Sequence, residues 1–309
     1  MIRVGTVNID TSHPIAFAEL FLKSGRAKYT AVYNDGFRTD DEVKNFMDKF
    51  GVEERFYDLS EMAKNIDIVF IQSCNWDRHI ELMMPFIEAG VPVFVDKPLV
   101  GSIDDCKTVE KLVEDGAVII GSSAMRYTFE HKGILSMDVA QRGEIVHLSA
   151  TVGVDEFNYA IHAVESLLGF FRGIKAISTT FIGTAVVGGS ECDTFFVKFE
   201  NGVTATYHIC TKAWQPSTLT VVTTKTTYAF KIDSGKVYEA MLNEVLDFME
   251  GKENNVATIY ELTEATKIML AGKQSKLDGG IETAISDIRS ERFFDGDEFE
   301  KFYESQQRK

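Results

Sequence analysis

The sequence predicts an α/β protein with two parts, a parallel sheet flanked by helices and then a mostly antiparallel sheet. Up to about Gly121, short β-rich runs alternate with amphipathic stretches, which is the pattern of right-handed βαβ units. Beyond Arg126, longer β-rich runs follow one another with few helices between them. The 309 residues suffice for two domains of ordinary size, which we expect at 1–122 and 123–309.

The first domain is predicted from strands and helices in alternation. Ile68–Ile71 and the run 91–95 are apolar on both faces, which is typical of strands in a sheet that is covered on both sides. The other elements follow from β-rich runs and from apolar residues at helical spacing. The predicted strands are 3–7, 29–33, 67–72, 91–95 and 118–120, and the predicted helices are 40–50, 78–89, 103–114 and one that begins near Pro14.

The second domain is predicted from its succession of β-rich runs, which indicates a mostly antiparallel sheet. Helices return near the end of the chain, and the last has apolar residues at helical spacing. The predicted strands are 145–152, 176–181, 194–199, 203–210, 219–224 and 227–232, and the predicted helices are 237–249 and 262–272.

Charge and composition restrict the partners that we expect. A net charge of −15 argues against nucleic acid, because phosphate binding needs a basic face and no such cluster of Lys and Arg is present. No apolar run is long enough to span a bilayer, and Asp10, His13 and Glu19 interrupt the segment where a signal peptide would be apolar. We therefore expect a cytoplasmic protein with no membrane partner. The cysteines lack metal or redox spacing, so we expect reduced, buried thiols at Cys74, Cys106, Cys192 and Cys210.

The most informative stretch is AGVPVFVDKPLVGSIDD, in which Asp96-Lys97-Pro98 follows a buried strand. Ligands of open α/β sheets bind at the carboxyl ends of the strands. A lysine there, if partly desolvated, has a lowered pKa and can act as a general acid or base. For a lysine considered alone, a solvated turn position is the competing interpretation.

The triplet Asp96-Lys97-Pro98 resembles the acidic-Lys-Pro hallmark, usually Glu-Lys-Pro, of the Gfo/Idh/MocA family of nicotinamide-dependent oxidoreductases. The resemblance extends to Asn75 and His79, which match an Asn and a His after the preceding strand. It continues through Arg126-Tyr127, at the position of an Arg-aromatic pair, and spans nearly the whole chain.

The segment NYAIHAVESLLG is similar to the family's Asp-x-x-x-His-x-x-Asp segment, with His162 in the place of the catalytic histidine. The sequence also departs from the family here. Asn158 stands where the family usually has Asp, and Glu165 stands in the place of the second Asp.

A more serious departure is the loop VNIDTSHP, where Asn8, Asp10 and His13 replace the glycines of the dinucleotide fingerprint. The second glycine normally lets the backbone approach the pyrophosphate, and a carboxylate at Asp10 would place like charge there. Thr11 and Ser12 are good N-cap residues, so the helix start could still bind an anion through its free N–H groups. The interpretation favoured for Asp10 is that it caps this helix, which would turn it away from the phosphates.

Other interpretations of these residues remain open. A metal site made by Asp10, His13, His79 and His162 is one, but the set lacks tight ligand spacing and we predict no metal. Asp35 ends the second strand, where a carboxylate would bind the adenosine ribose and reject a 2′-phosphate. This favours NAD over NADP, although Asn34-Asp35-Gly36 is also good turn chemistry and Arg38 lies nearby.

The resemblance implies an N-terminal Rossmann domain, a second α+β domain with a large open-faced sheet, and a homodimer or homotetramer. It implies NAD-dependent oxidation of a secondary alcohol of a sugar, inositol or related polyol, with Lys97 and His162 transferring the proton. Arg126, Tyr127, Asn158, Tyr159 and His162 are expected to bind the substrate. The expected cofactor-binding residues are Asn8, Asp10, Thr11, Ser12, His13, Asp35, Ser73, Asn75, His79, Asp96 and Lys97. Two alternatives remain: a ligand-binding or regulatory protein without redox activity, and a non-redox lyase or isomerase.

Overall fold

The first of two sheets is entirely parallel. The computed structural model describes residues 1–121 and 123–308. Six strands lie in the order β3-β2-β1-β4-β5-β6, and every neighbouring pair is parallel. They are β1 (Ile2–Val7), β2 (Ala27–Tyr33), β3 (Glu54–Phe56), β4 (Ile68–Ile71), β5 (Val93–Val95) and β6 (Ile119–Gly121).

Helices alternate with these strands, as the sequence predicts. They are α1 (His13–Ser24), α2 (Asp40–Phe50), α3 (Leu59–Ala63), α4 (His79–Glu88) and α5 (Ile103–Glu114). The sequence analysis missed β3 and α3, because elements this short contain too few residues to establish a period. The predicted domain boundary at residue 122 lies outside the described residues.

The bounds of α2 were predicted correctly because local signals define both of its ends. Thr39 and Glu42 form a capping box, in which each side chain accepts a hydrogen bond from the other's backbone N–H. Gly51 ends the helix at φ 67°, a left-handed conformation that favours glycine.

The second sheet is mostly antiparallel, as predicted. Seven strands lie in the order β12-β11-β7-β10-β9-β8-β13, and only β7 and β10 pair in parallel. Phe195, Val197, Ala205 and Tyr207 alternate along β9 and β10 and are buried on one face of the sheet. The strands are β7 (Ile145–Val154), β8 (Ala176–Val187), β9 (Ser190–Phe199), β10 (Thr204–Thr211), β11 (Thr218–Thr223), β12 (Thr227–Lys231) and β13 (Thr283–Ala284).

The helices of the second half connect its sheet to the first. They are α6 (Phe129–Leu135), α7 (Val139–Arg142), α8 (Ala160–Leu168), α9 (Val237–Met249), α10 (Ile259–Leu277) and α11 (Gly296–Gln307). The long helix α10 packs against both α5 and β8, and α9 packs against α1. Just beyond the carboxyl end of β5, Lys97 contacts Asn158 of the second domain. Within the described part of the chain, no helix is both long and apolar enough to cross a bilayer.

Candidate active site

The strand order of the first sheet creates a crevice between β1 and β4. The chain leaves β1 toward β2 and leaves β4 toward β5, so the connections from these neighbouring strands diverge. Ligands of such sheets bind at this switch point, outside the carboxyl ends of the strands. The loops after β1, β2, β4 and β5 contain most of the residues that the sequence analysis assigned to a cofactor.

Asn8 supports the turn after β1 in the absence of glycine. Its φ is 65°, a left-handed conformation that asparagine adopts at modest cost. Its side-chain Oδ1 accepts the backbone N–H groups of Asp35, at 2.9 Å, and Gly36, at 3.2 Å. The loop after β1 is therefore tied to the loop after β2.

The prediction that Asp10 caps α1 is wrong. The N-cap residue is Ser12, and its side chain makes no capping hydrogen bond. The Asp10 carboxylate is fully buried and crosses the crevice, where Oδ2 accepts the Cys74 N–H at 3.1 Å and Oδ1 has no partner. Burial raises the pKa of Asp10 to about 7, and the nearby Glu300 carboxylate adds to the rise, whereas the Cys74 N–H opposes it.

His13 faces Asp96 and does not face the start of α1. Its Nδ1 lies 2.5 Å from Asp96 Oδ2, and its ring stacks on Phe17 and packs edge-on against Tyr238. Thr11 is half-buried and its Oγ1 accepts the His13 N–H at 3.2 Å, whereas Ser12 is exposed. At the helix start, Ser12 and in part Thr11 are open to solvent.

Asp96 is a buried, ionised carboxylate beside Lys97. Its Oδ1 accepts the Lys97 backbone N–H at 2.8 Å. Burial alone would raise the pKa of Asp96, but the positive charges of His13 and Lys97 outweigh it and lower the pKa below its ordinary value. The carboxylate thus stabilises the positive charge of Lys97.

Lys97 reaches across to the second domain. Its Nζ donates to Asn158 Oδ1 at 2.7 Å and to the Asn158 carbonyl oxygen at 3.1 Å. The ammonium also lies 5.5 Å from the centre of the Tyr159 ring. Burial lowers the pKa of Lys97, and the carboxylates of Asp96 and Asp155 oppose this.

His162 completes the group on the facing helix α8. Its Nδ1 lies 2.5 Å from the Ser123 hydroxyl, and its ring packs edge-on against Tyr159. Burial, and then the positive charges of Lys97 and His13, lower the pKa of His162 well below its ordinary value. His162 is therefore neutral, with one ring nitrogen held by Ser123.

Asp155 belongs to this group, although the sequence analysis did not identify it. Its Oδ1 accepts the N–H groups of Phe157, at 3.0 Å, and Tyr159, at 2.9 Å, which fixes the turn that presents Asn158 to Lys97. Burial raises its pKa. The available signal was an Asp directly after a β-rich run, a position that favours a side-chain-to-backbone turn.

Arg126 and Tyr127, both predicted to bind substrate, lie in the interior of the second domain. Arg126 Nε donates to Glu165 at 2.6 Å and NH2 donates to the Glu261 carbonyl at 3.2 Å, and both members of the Arg126–Glu165 pair are buried. The Tyr127 hydroxyl accepts the Ala257 N–H at 3.0 Å. Their polar groups make these internal contacts, and their assignment to the substrate stays a prediction.

Protein groups also engage the predicted cofactor residues after β2 and β4. Asp35 pairs with Arg78 at 2.6 Å, and the Asn75 amide donates to two carboxylates of α11. His79 is fully buried, with Nδ1 2.9 Å from the Leu99 carbonyl and Nε2 3.0 Å from the Ser73 carbonyl. It holds the loops after β4 and β5 together.

The histidine-based metal interpretation is not supported. In the described ranges 1–121 and 123–308, two groups of side chains lie close enough together to hold an ion, and neither contains a histidine. They are Asp10, Cys74 and Glu300, and Asp77, Asp295 and Asp297.

Comparisons with known proteins agree with this fold. A family model described as "Oxidoreductase family, NAD-binding Rossmann fold", the Gfo/Idh/MocA model, matches residues 4–123. The matched residues comprise the parallel sheet and the helices that alternate with its strands. No curated protein sequence matches the chain.

Solved structures are similar to this chain over both sheets, beyond the residues that the family model matches. A probable dehydrogenase from Thermotoga maritima has a TM-score of 0.77 at 15% identity, covering 93% of this chain and 100% of its own. A scyllo-inositol dehydrogenase from Lactobacillus casei, with bound NAD(H) and scyllo-inositol, has a TM-score of 0.76 at 16% identity, covering 93% and 99%. Myo-inositol 2-dehydrogenase from Lactobacillus plantarum has a TM-score of 0.76 at 17% identity, with the same coverage. At these identities the likeness is one of fold.

Proposed function

We propose that the protein is an NAD-dependent oxidoreductase that oxidises a secondary alcohol of a sugar, inositol or related polyol. The observation that carries the proposal is the contact between Lys97, at the carboxyl edge of the first sheet, and Asn158, which precedes α8. His162 lies on the same helix, so the contact brings a lysine and a neutral histidine to one cleft. The family match and a similar structure that holds NAD(H) and scyllo-inositol support it.

The backbone at the switch point suits a dinucleotide. Asn8 supplies the left-handed turn that a glycine would otherwise supply, and the Ser12 side chain makes no capping hydrogen bond to α1. Uncapped N–H groups at a helix start attract phosphate oxygens. NAD, when bound, would accept the hydride from the alcohol carbon.

The side chains of the cleft would handle the hydroxyl group. Lys97 would exchange its Asn158 contacts for a hydrogen bond to the substrate oxygen, and its positive charge would stabilise the developing alkoxide. His162, neutral and held at Nδ1 by Ser123, would take the hydroxyl proton at Nε2. The Asp96 carboxylate would stabilise the positive charge of Lys97 throughout the reaction.

A substrate screen tests this proposal. The protein is incubated with NAD and a panel of sugars, sugar acids and inositols, and NADH production is followed by absorbance. With an active substrate, Lys97→Met or His162→Ala should lower kcat by roughly 10²–10⁴-fold. The matched control is Lys107→Met on the exposed surface of α5, which should retain full turnover. Near wild-type turnover by Lys97→Met would contradict the assigned roles.

A second candidate function is ligand binding or regulation without redox turnover. It is favoured by the buried Asp10 carboxylate in the crevice where a pyrophosphate would lie. Calorimetry with NAD and NADH discriminates the two functions when combined with the screen. Tight cofactor binding with no turnover on any polyol would favour this candidate, or the lyase or isomerase alternative.

The proposal includes a homo-oligomer assembled through the second sheet. Ile182, Val186 and Val187 expose apolar side chains along β8, a feature of surfaces that another chain covers. Sedimentation equilibrium would give the subunit number. A monomer at micromolar concentration would contradict this part of the proposal.

A further inference from the structure

Helix α11 begins on the loop that follows β4. The backbone N–H of Gly296 donates to Asp77 Oδ2 at 2.7 Å. Asp297 and Glu300 accept hydrogen bonds from the Asn75 amide at 2.9 and 3.0 Å. Aromatic packing reinforces this end, because the rings of Phe299 and Trp76 lie 5.1 Å apart.

The same helix ends beside the loop that follows β2. The Tyr303 ring lies 6.2 Å from the Phe37 ring, and Gln307 Oε1 accepts a hydrogen bond from Arg38 at 3.3 Å. Arg38 also donates to the Asp10 carbonyl at 2.8 Å. Helix α11 therefore crosses the carboxyl ends of β4, β1 and β2 in turn.

This placement buries the loops at the switch point. Asp10 is 0% exposed, Asn75 is 1% exposed and Ser73 is 3% exposed. A dinucleotide bound at the switch point has to contact these loops. The chain's own helix lies over the place where a nicotinamide dinucleotide would bind.

Two features make the docking of α11 specific. A Cβ atom on Gly296 would clash with Asn75 Oδ1 and Asp77 Oδ2, so a larger residue there must shift these side chains or the first turn of α11. The inner face also presents carboxylates, since Glu300 lies within 4.8 Å of Asp10 and Cys74. Those carboxylates would repel a pyrophosphate in the same crevice.

We propose that α11 is a displaceable lid that competes with the dinucleotide for the β1–β4 crevice. The inference rests on the proposed function, because it takes the cofactor to be a nicotinamide dinucleotide. The cofactor binds only those molecules in which α11 is released. Its apparent affinity is therefore its intrinsic affinity multiplied by the fraction of molecules in that state. Weakening the docking of α11 raises the affinity without adding any contact to the cofactor.

Calorimetric titration with NADH tests the lid in four proteins. They are the full chain, Glu300→Ala, Glu298→Ala and a chain that ends at Asp295. Glu300 faces Asn75, whereas Glu298 is exposed on the opposite face, so the two substitutions remove equal charge from one helix. We expect NADH to bind Glu300→Ala and the shortened chain roughly tenfold or more tightly, and Glu298→Ala to bind like the full chain.

Gly296→Val provides a variant that keeps the whole chain. The added side chain would clash with Asn75 and push the first turn away, so the affinity for NADH should rise as in Glu300→Ala. This variant and Glu300→Ala keep the test decisive if the shortened chain does not fold.

Hydrogen exchange measures the movement of α11 directly. Saturating NADH should speed exchange of the amides of α11 in the full chain and leave those of α2 unchanged or slower. Equal NADH affinity in all variants, with no change in exchange, would overturn the lid and leave the proposed function intact. Slower exchange in α11 would also overturn it, because the helix would then close over the cofactor. If neither the full chain nor any variant binds NADH or NADPH, both proposals fail.

Discussion

Lys97 and Asn158 join the two domains through two hydrogen bonds, from Nζ to Oδ1 at 2.7 Å and to the main-chain oxygen at 3.1 Å. Because the Asn158 amide is uncharged, burial is the largest influence on the pKa of Lys97 and lowers it. The resembled family usually has an aspartate at this position. A carboxylate there would raise the pKa of Lys97.

Asn158→Asp should therefore raise the pKa of Lys97. A carboxylate at hydrogen-bond distance favours the ammonium form and shifts such a group by about 1–3 units. NMR titration of the Lys97 Nζ signal measures this without a substrate. Asn65→Asp, on the exposed surface after α3, is the control and should leave the titration unchanged. An unshifted Lys97 in Asn158→Asp would show that the contact is absent in solution.

The stability of the protein should fall as pH rises because of Asp10. Its folded pKa, about 7, lies above the ordinary value of 3.8, so the folded state holds a proton that the unfolded chain releases. The contribution of Asp10 is fully present below pH 3.8 and is lost as pH rises through about 7. Asp10→Asn should remove this pH dependence of the free energy of unfolding. The shift in pKa corresponds to a change of up to about 4 kcal/mol.

Urea unfolding at pH 5 and pH 8 measures the effect. Asp41→Asn, exposed in the first turn of α2, serves as the control and should follow the wild type. Equal pH dependence in wild type and Asp10→Asn would show that the carboxyl group is hydrated in solution.

Asp10 should also weaken cofactor binding by its charge. With its carboxylate in the crevice, ionisation above about pH 7 places like charge near the pyrophosphate. Asp10→Gly should bind NADH roughly tenfold more tightly at pH 8 and show a smaller gain at pH 6. Calorimetry at the two pH values decides this. If the affinity for NADH rises equally at both pH values, the effect of Asp10 on binding is steric and not electrostatic.

The two domains and most of their elements could be predicted because their signals are local. Thr39 and Glu42 mark the start of α2, and the apolar run Ile68–Ile71 identifies a buried strand. The clustering of Lys97 with His162 was predicted through the family resemblance, since spacing along the chain contains no information about a contact between domains. The role of Asp155 was missed although its contacts, to the N–H groups of Phe157 and Tyr159, are local.

Other features depend on tertiary contacts that no local pattern reveals. Helix α11 reads GDEFEKFYESQQ, a mostly polar sequence, and its position is set by contacts with Asn75 and Trp76 far earlier in the chain. Asp10 has the chemistry of a helix cap, yet the N–H of Cys74 on the neighbouring loop engages it. Arg126 was assigned to the substrate by resemblance, whereas Glu165 pairs with it in the interior.

Arg126→Met should destabilise the fold because it leaves the buried Glu165 without its partner. Removing one member of a buried ion pair costs roughly 3–5 kcal/mol. The double variant Arg126→Met/Glu165→Leu should recover most of this loss, because neither charge then remains buried. Urea denaturation gives the free energies of unfolding. A stable Arg126→Met protein with a raised KM would instead return Arg126 to the substrate pocket.

The pair formed by Asp35 and Arg78 should decide the choice between NAD and NADP. Asp35 accepts two hydrogen bonds from the Arg78 guanidinium, at 2.6 and 3.2 Å, and these lower its pKa although burial opposes them. The ionised carboxylate at the end of β2 repels a 2′-phosphate, whereas Arg78, once released, would attract one. Asp35→Ser should therefore shift binding from NADH toward NADPH by roughly tenfold or more, measured by calorimetry with both cofactors. The double variant Asp35→Ser/Arg78→Ala separates the two effects, since it should lose the preference for NADH without gaining affinity for NADPH. If Asp35→Ser keeps the wild-type ratio of affinities, the adenosine ribose lies elsewhere and the assignment of Asp35 is wrong.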